Sequence, residues 1–260
     1  MKRTFWMLIV AWALLPACQN NASEQKKRKT DPRLMIAVAA NVQYAMKDLA
    51  SAFEQQHRIK IETNVSSSGK LTAQIQQGAP FDLFLSANMK YPQTLYEGGY
   101  AVDTPLVYAY GALVLWTLKD LEMNDEKTVL SAGNFEKLAI ANPKNAPYGE
   151  QAIRMLEHYQ LYEQVEPKLV YGESIAQTNQ YIVSRACDLG VTAKSVVLSP
   201  DIQGRGRWVE IAAEAYEPIK QGVVITKYGQ REHPEAAKAF LDFLFSPEAK
   251  AIFKKYGYTL

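Results

Sequence analysis

At 260 residues the chain has room for one large domain or two lobes, and its 48% apolar content with mixed charge belongs to a globular protein. Lys2 and Arg3 give residues 1–17 a charge of +2, and Lys26, Lys27, Arg28, Lys29 and Arg33 against Glu24 and Asp31 give residues 18–33 a charge of +3. The whole-chain +2 therefore leaves −3 for the remainder. A fold of that sign does not gather nucleic acid by its overall field, and any anion it binds must be held by local dipoles and hydrogen bonds.

The chain opens as a targeting segment. Lys2 and Arg3 precede an apolar run from Phe5 to Leu15 that is too short to span a bilayer comfortably. The run ends in Leu15-Pro16-Ala17-Cys18, which resembles the lipobox of bacterial lipoproteins; the resemblance implies cleavage before Cys18, acylation of that cysteine and a lipid anchor. The plainer alternative is an ordinary signal peptide with an incidental cysteine. Residues 18–33 are polar and basic without apolar period, a tether whose Lys26–Lys29 run is a solvated spacer or rests on anionic headgroups. With Cys18 acylated, Cys187 is alone in an apolar stretch, a buried free thiol, and no disulfide or cysteine metal site can be built. His57, His158 and His233 lack metal spacing and read as surface residues.

From Leu34 to Ala40 the chain is continuously apolar, as in a buried parallel strand, and Asn41 follows at a cap position. Ala45, Met46, Leu49, Ala52 and Phe53 then repeat at helical spacing, and Ile59 to Val65 alternates as a second strand. The stretch Ser66-Ser67-Ser68-Gly69-Lys70-Leu71 comes next: a hydroxyl-rich turn opening a helix whose Leu71 and Ile75 share a buried face and which Gly78 closes. Unpaired N–H groups and the positive end of the helix dipole make such a turn an anion pocket that needs no cation. The bland alternative is a helix cap. A nucleotide-binding P-loop fits poorly, because Leu71 stands where a Ser or Thr should follow the lysine. Asp82–Ser86 is a third strand, and Met89–Glu97 a short helix stopped by Gly98-Gly99.

A second set begins near Ala112–Trp116. The strand Leu138–Ala141 leads through Asn142-Pro143 to a helix opened by Pro147-Tyr148-Gly149; the strand Lys168–Tyr171 leads to a helix opened by Glu173-Ser174-Ile175; Cys187–Thr192 is strand-like. A strand over Gly222–Thr226 and two helices behind Pro234 and Pro247 close the chain. Strands alternating with helices predict α/β architecture with ligands at the carboxyl ends of the strands, where Asn41, Ser68, Tyr148 and Ile175 all stand.

Several stretches resemble the periplasmic molybdate-binding proteins of ABC importers: Ala39-Ala40-Asn41, Ser67-Ser68-Gly69-Lys70-Leu71, Gly78-Ala79-Pro80-Phe81-Asp82, Ala141-Asn142-Pro143 with Pro147-Tyr148-Gly149, Glu173-Ser174-Ile175, Gly190-Val191-Thr192-Ala193-Lys194-Ser195 and the ending Phe253–Tyr258. The likeness runs in order through residues 34–260. It implies a type II periplasmic binding protein with two lobes, each a mostly parallel sheet flanked by helices and closing on a dianion. Residues 34–111 are then the first part of lobe 1, residues 112–221 lobe 2, and residues 222–260 the return to lobe 1. Carried over by position, the oxyanion ligands are Asn41, Ala40 through its backbone, Ser68, Tyr148 and Ile175 through its N–H; these touch the metal only through oxygens of molybdate or tungstate. Asn41 stands where many members have serine, and Ala193 where some have a ligand tyrosine, whose role Tyr148 takes over. Lys70 and Lys194 are expected at helix surfaces.

The function implied is a lipid-anchored, periplasm-facing monomer that delivers molybdate or tungstate to an importer permease, with no cofactor and no enzymatic activity. Two alternatives stay open: a carrier of sulfate, phosphate or another small ligand, and, more remotely, an ester hydrolase. The last needs a nucleophile with a base, and Ser68 has no histidine in a matching motif.

Overall fold

A computed structural model describes residues 33–260; the segments read as signal peptide and tether, with Cys18, lie outside the described residues apart from Arg33. In chain order the first elements are β1 (Arg33–Ala39), α1 (Gln43–His57), β2 (Lys60–Ser66), α2 (Ser68–Gln76), β3 (Leu83–Ser86), α3 (Lys90–Glu97) and β4 (Leu106–Gly111). Then follow β5 (Leu113–Thr117), α4 (Glu126–Ala132), β6 (Leu138–Ala141), α5 (Pro147–His158), α6 (Tyr162–Val165), β7 (Leu169–Gly172), α7 (Ile175–Val183), β8 (Leu189–Ala193), α8 (Lys194–Val197) and β9 (Arg207–Glu210). The chain closes with β10 (Ile219–Ile225), α9 (Lys227–Glu232), α10 (Pro234–Leu244) and α11 (Pro247–Lys255).

The strands form two five-stranded sheets, ordered β2-β1-β3-β10-β4 and β7-β6-β8-β5-β9. In each, one strand runs against the other four: β10 is antiparallel to β3 and β4, and β5 to β8 and β9. The chain leaves the first sheet at Ala112, between β4 and β5, and returns on β10, which pairs with the first sheet from Ile219 onward.

The apolar run of β1 is explained by burial on both faces. Leu34, Ile36 and Val38 pack with Leu49 and Phe53 of α1, Phe240 of α10 and Phe253 of α11, while Ala37 meets Leu71 and Ile75 of α2 and Leu95 of α3. The second sheet sits in one core, where Trp116, Leu138, Ile140 and Val191 join Met155, Leu156 and Ile182. Proline occupies the first turn of α5, α10 and α11, where its missing N–H costs no helical bond.

Some expectations shift. The strand β4 and the short helices α4, α8 and α9 lack the periodicity that marks the longer elements. His233 is not a plain surface residue: its Nδ1 stands 2.8 Å from Oδ1 of the buried Asp82, whose Oδ2 accepts the Met35 N–H at 2.7 Å. The Gly-Ala-Pro-x-Asp stretch thus ties β3 to β1 and to the start of α10. Cys187 is a buried free thiol, and burial pushes its pKa up.

Candidate functional site

Parallel strands feeding helices put successive helix N-termini along one edge of a sheet, and here two such edges face each other. A small cavity of about 10 Å³ lies between them, lined by Ala39, Ala40, Asn41, Ser67, Ser68, Ala87, Ala146, Pro147, Tyr148 and Ile175. Not one of these side chains carries a charge. Ser67 and Ser68 are the N-cap and first residue of α2; Ala146, Pro147 and Tyr148 are the N-cap and first two residues of α5; Ile175 is the first residue of α7. Three helix N-termini therefore meet at one point, joined by the turn between β1 and α1 that carries Asn41. First-turn N–H groups have no intrahelical acceptor. Those of Ser68, Tyr148 and Ile175, and that of Asn41 in its turn, donate to no other protein group among the described residues.

Although Ser67 stands at the N-cap position, no serine hydroxyl makes a capping hydrogen bond to α2. Ser67 Oγ is buried with no partner, and Ser68 Oγ accepts the Ala87 N–H at 3.0 Å, which leaves both hydroxyl protons unclaimed. Ser68 has a backbone amide rather than a histidine as its partner. Tyr148 is 2% exposed, and burial holds its hydroxyl well above the usual tyrosine range, with Tyr258, Tyr108 and Tyr216 adding to the rise. It stays a neutral donor throughout the neutral pH range.

The five residues expected at the site from sequence all border the cavity, but two do so differently from the expectation. Ala40 contributes wall only, since its N–H is committed to Ser66 O at 2.9 Å. The Asn41 side chain turns its Nδ2 to Gln221 Oε1 at 2.8 Å and Tyr258 Oη at 3.1 Å, with Tyr148 Oη at 3.5 Å, and its Oδ1 has no partner. The Asn41 carbonyl accepts from Ser195 Oγ at 2.7 Å and Tyr258 Oη at 2.9 Å. Sequence reasoning gave no role to Ser67, Ser195, Gln221 or Tyr258. Ser67 was within reach as the neighbour of Ser68; Ser195 and Tyr258 lie in stretches that carry the family resemblance but were given no role, and Gln221 left no local signal.

The two sheet regions touch around the cavity. Gly69 N–H donates to Asn145 O at 2.9 Å, and a Cβ on Gly69 would stand 2.9 Å from Asn145 Cβ, so only glycine permits this approach. Lys70 pairs with Glu173 across the same seam, and Lys47 with Asp201 at 2.7 Å on another part of it. Lys194 pairs with Glu210 at 2.5 Å, so neither lysine near the turns enters the cavity.

Residues 34–259 match the family of bacterial extracellular solute-binding proteins. The chain belongs to that family. A molybdate-binding protein of Azotobacter vinelandii is 38% identical over 98% of this chain and 97% of its own. A molybdate-binding protein of Rhodobacter capsulatus is 39% identical over 87% of this chain and 88% of its own. The solved structure of an Azotobacter vinelandii periplasmic molybdate-binding protein superposes with a TM-score of 0.83 at 33% identity, covering 87% of this chain and 99% of that one. The two five-stranded sheets flanked by helices match that fold.

Proposed function

We propose that this chain captures molybdate or tungstate outside the cytoplasm and delivers it to the permease of an ABC importer, as a non-enzymatic, lipid-anchored monomer facing the periplasm. The observation that carries the reading is the cavity: three helix N-termini and unclaimed hydroxyls around a small space lined by uncharged residues. The relatives at 38% and 39% identity, both molybdate-binding proteins, support the choice of anion. The sequence Leu15-Pro16-Ala17-Cys18 supports the anchor. In this reading residues 34–111 and 222–260 form one lobe and residues 112–221 the other. The donors are the N–H groups of Asn41, Ser68, Tyr148 and Ile175 with the hydroxyls of Ser68 and Tyr148, while Ala40 shapes the wall.

A tetrahedral dianion offers four acceptor oxygens and no proton, so a cage of donors suits it and a protonated phosphate fits less well. Hydrogen bonds to a charged partner contribute roughly 1.5–3 kcal/mol each, and about six of them, less the costs of ordering and closure, give a dissociation constant between about micromolar and nanomolar. Neutral donors also let the lobes reopen without breaking an ion pair to the cargo. Titration calorimetry with molybdate, tungstate, sulfate and phosphate tests the reading. Molybdate and tungstate are to bind tightly and sulfate at least about a hundredfold more weakly, a gap of roughly 2.7 kcal/mol. Tight sulfate binding, or no binding of any tetrahedral anion, overturns it.

A further inference from the structure

The Asn41 side chain presents a polarity problem. Its amide can face its neighbours in two ways that differ by exchanging an N–H donor for an oxygen acceptor. In the observed arrangement the donor faces Gln221, Tyr258 and Tyr148, and Oδ1 is left buried without a partner. A buried, unpaired acceptor is unfavourable, so something must hold the amide in this sense.

Gln221 meets that requirement. It is fully buried on β10, and its Nε2 donates to two main-chain carbonyls, Ala87 O at 3.3 Å and Ile219 O at 3.1 Å. Backbone carbonyls only accept, so they fix which end of the Gln221 amide is the donor. Its Oε1 is left to face Asn41, and only Asn41 Nδ2 satisfies it. The register of β10 against β4 shifts between Gln221 and Gly222, the kind of irregularity that re-aims a side chain beside a functional site. Gly111 on β4 keeps the space open: a Cβ there would overlap the Tyr148 hydroxyl and stand 3.0 Å from Gln221 Nε2.

We propose that Gln221 is a positioning residue for anion binding: it fixes the polarity of the Asn41 amide, which keeps the Tyr148 hydroxyl proton free for the ligand. With Nδ2 toward it, Tyr148 Oη can only accept from Asn41, and its proton has no protein acceptor among the described residues. With the amide turned over, Oδ1 would stand about where Nδ2 does, 3.5 Å from Tyr148 Oη, and would offer that proton an acceptor in competition with a ligand in the cavity. Gln221 itself does not border the cavity. The role rests on the anion-binding reading above, and the test separates the two.

Gln221→Met keeps the volume and removes both hydrogen-bonding functions. Molybdate affinity is measured by calorimetry for wild type, Q221M, Y148F and the double variant. Q221M is to weaken binding by about as much as Y148F, roughly three- to tenfold, and the double variant is to bind no more weakly than either alone. Wild-type affinity in Q221M, or an equal fractional loss with and without the Tyr148 hydroxyl, overturns the proposal. Should Q221M not fold, a neutron structure of the deuterated wild-type protein decides. Deuterium on Asn41 Nδ2 toward Gln221, with the Tyr148 deuterium directed into the cavity, supports the proposal; a Tyr148 deuterium on the Asn41 side-chain oxygen overturns it. A wild type that binds no molybdate defeats the functional reading, whereas the neutron result on Asn41 bears on the polarity alone.

Discussion

Ser68 shows most simply how one residue serves two purposes. Its oxygen accepts the Ala87 N–H at 3.0 Å, which fixes the hydroxyl, and its proton and its own N–H are left at the mouth of α2. Removing the hydroxyl takes one donor from a charged ligand and leaves the Ala87 N–H unpaired. Ser68→Ala is therefore to weaken molybdate binding by about 1–3 kcal/mol in a calorimetric titration, with the far-ultraviolet spectrum of the fold unchanged. Unaltered affinity would remove Ser68 from the site. The residue scale also shows where sequence was legible and where it was not. Asn41, Ser68, Tyr148 and Ile175 stand at strand-to-helix turns, a position that pattern alone reveals. The direction in which the Asn41 amide points depends on Gln221 and Tyr258, separated from it by 180 and 217 positions, and no local pattern encodes that meeting.

Among the elements, the helix N-termini carry the electrostatics and the seam holds the two sheet regions together. The helices α2, α5 and α7 contribute partial positive charge without side-chain cations, and this field is screened least where the surroundings are buried. The helix α2 is also pressed to the opposing half through Gly69, whose N–H reaches Asn145 O. Gly69→Val leaves the backbone conformation accessible, since the constraint at this position is the contact with Asn145 and not a left-handed turn. It is to hold the seam apart, lowering molybdate affinity at least about tenfold, roughly 1.4 kcal/mol, while thermal stability without ligand changes little. Small-angle scattering with saturating molybdate is to show a larger radius of gyration than wild type; equal compaction would show that the seam tolerates a side chain. Helix and strand periodicity made most long elements legible. The strand β4, with Tyr108 and Tyr110 alternating toward Gly111 at the exchange between sheets, was not, because its pairing with β10 is a long-range event.

At the scale of the whole molecule, the two sheets exchange the chain at Ala112 and before β10, and buried tyrosines gather near these exchanges. Burial raises Tyr108, Tyr148 and Tyr258 above the usual tyrosine range. In the unfolded chain these phenols ionise near pH 10, roughly the model-peptide value. The native state keeps them protonated, so above that pH the unfolded chain binds fewer protons and stability falls as pH rises. Denaturant midpoints are to be level between about pH 7 and pH 9 and to decline beyond about pH 10, and Tyr108→Phe is to make the decline shallower. A midpoint that rises with alkali would contradict the protonated state of these hydroxyls. The α/β class was legible from alternating strands and helices, and the two-lobed architecture was implied by the family resemblance; the closeness of the two halves was not legible, because it depends on contacts such as Gly69 with Asn145 that only the folded chain brings together.

A crystal grown with tungstate puts the central claim to its most direct test, because tungsten is located by its own anomalous scattering. One strong peak is to lie between the first turns of α2, α5 and α7 and the turn at Asn41, with its oxygens at hydrogen-bonding distance from Ser68, Tyr148 and Ile175. Tungsten bound at a lysine-lined surface instead, with that cavity empty, would contradict the account.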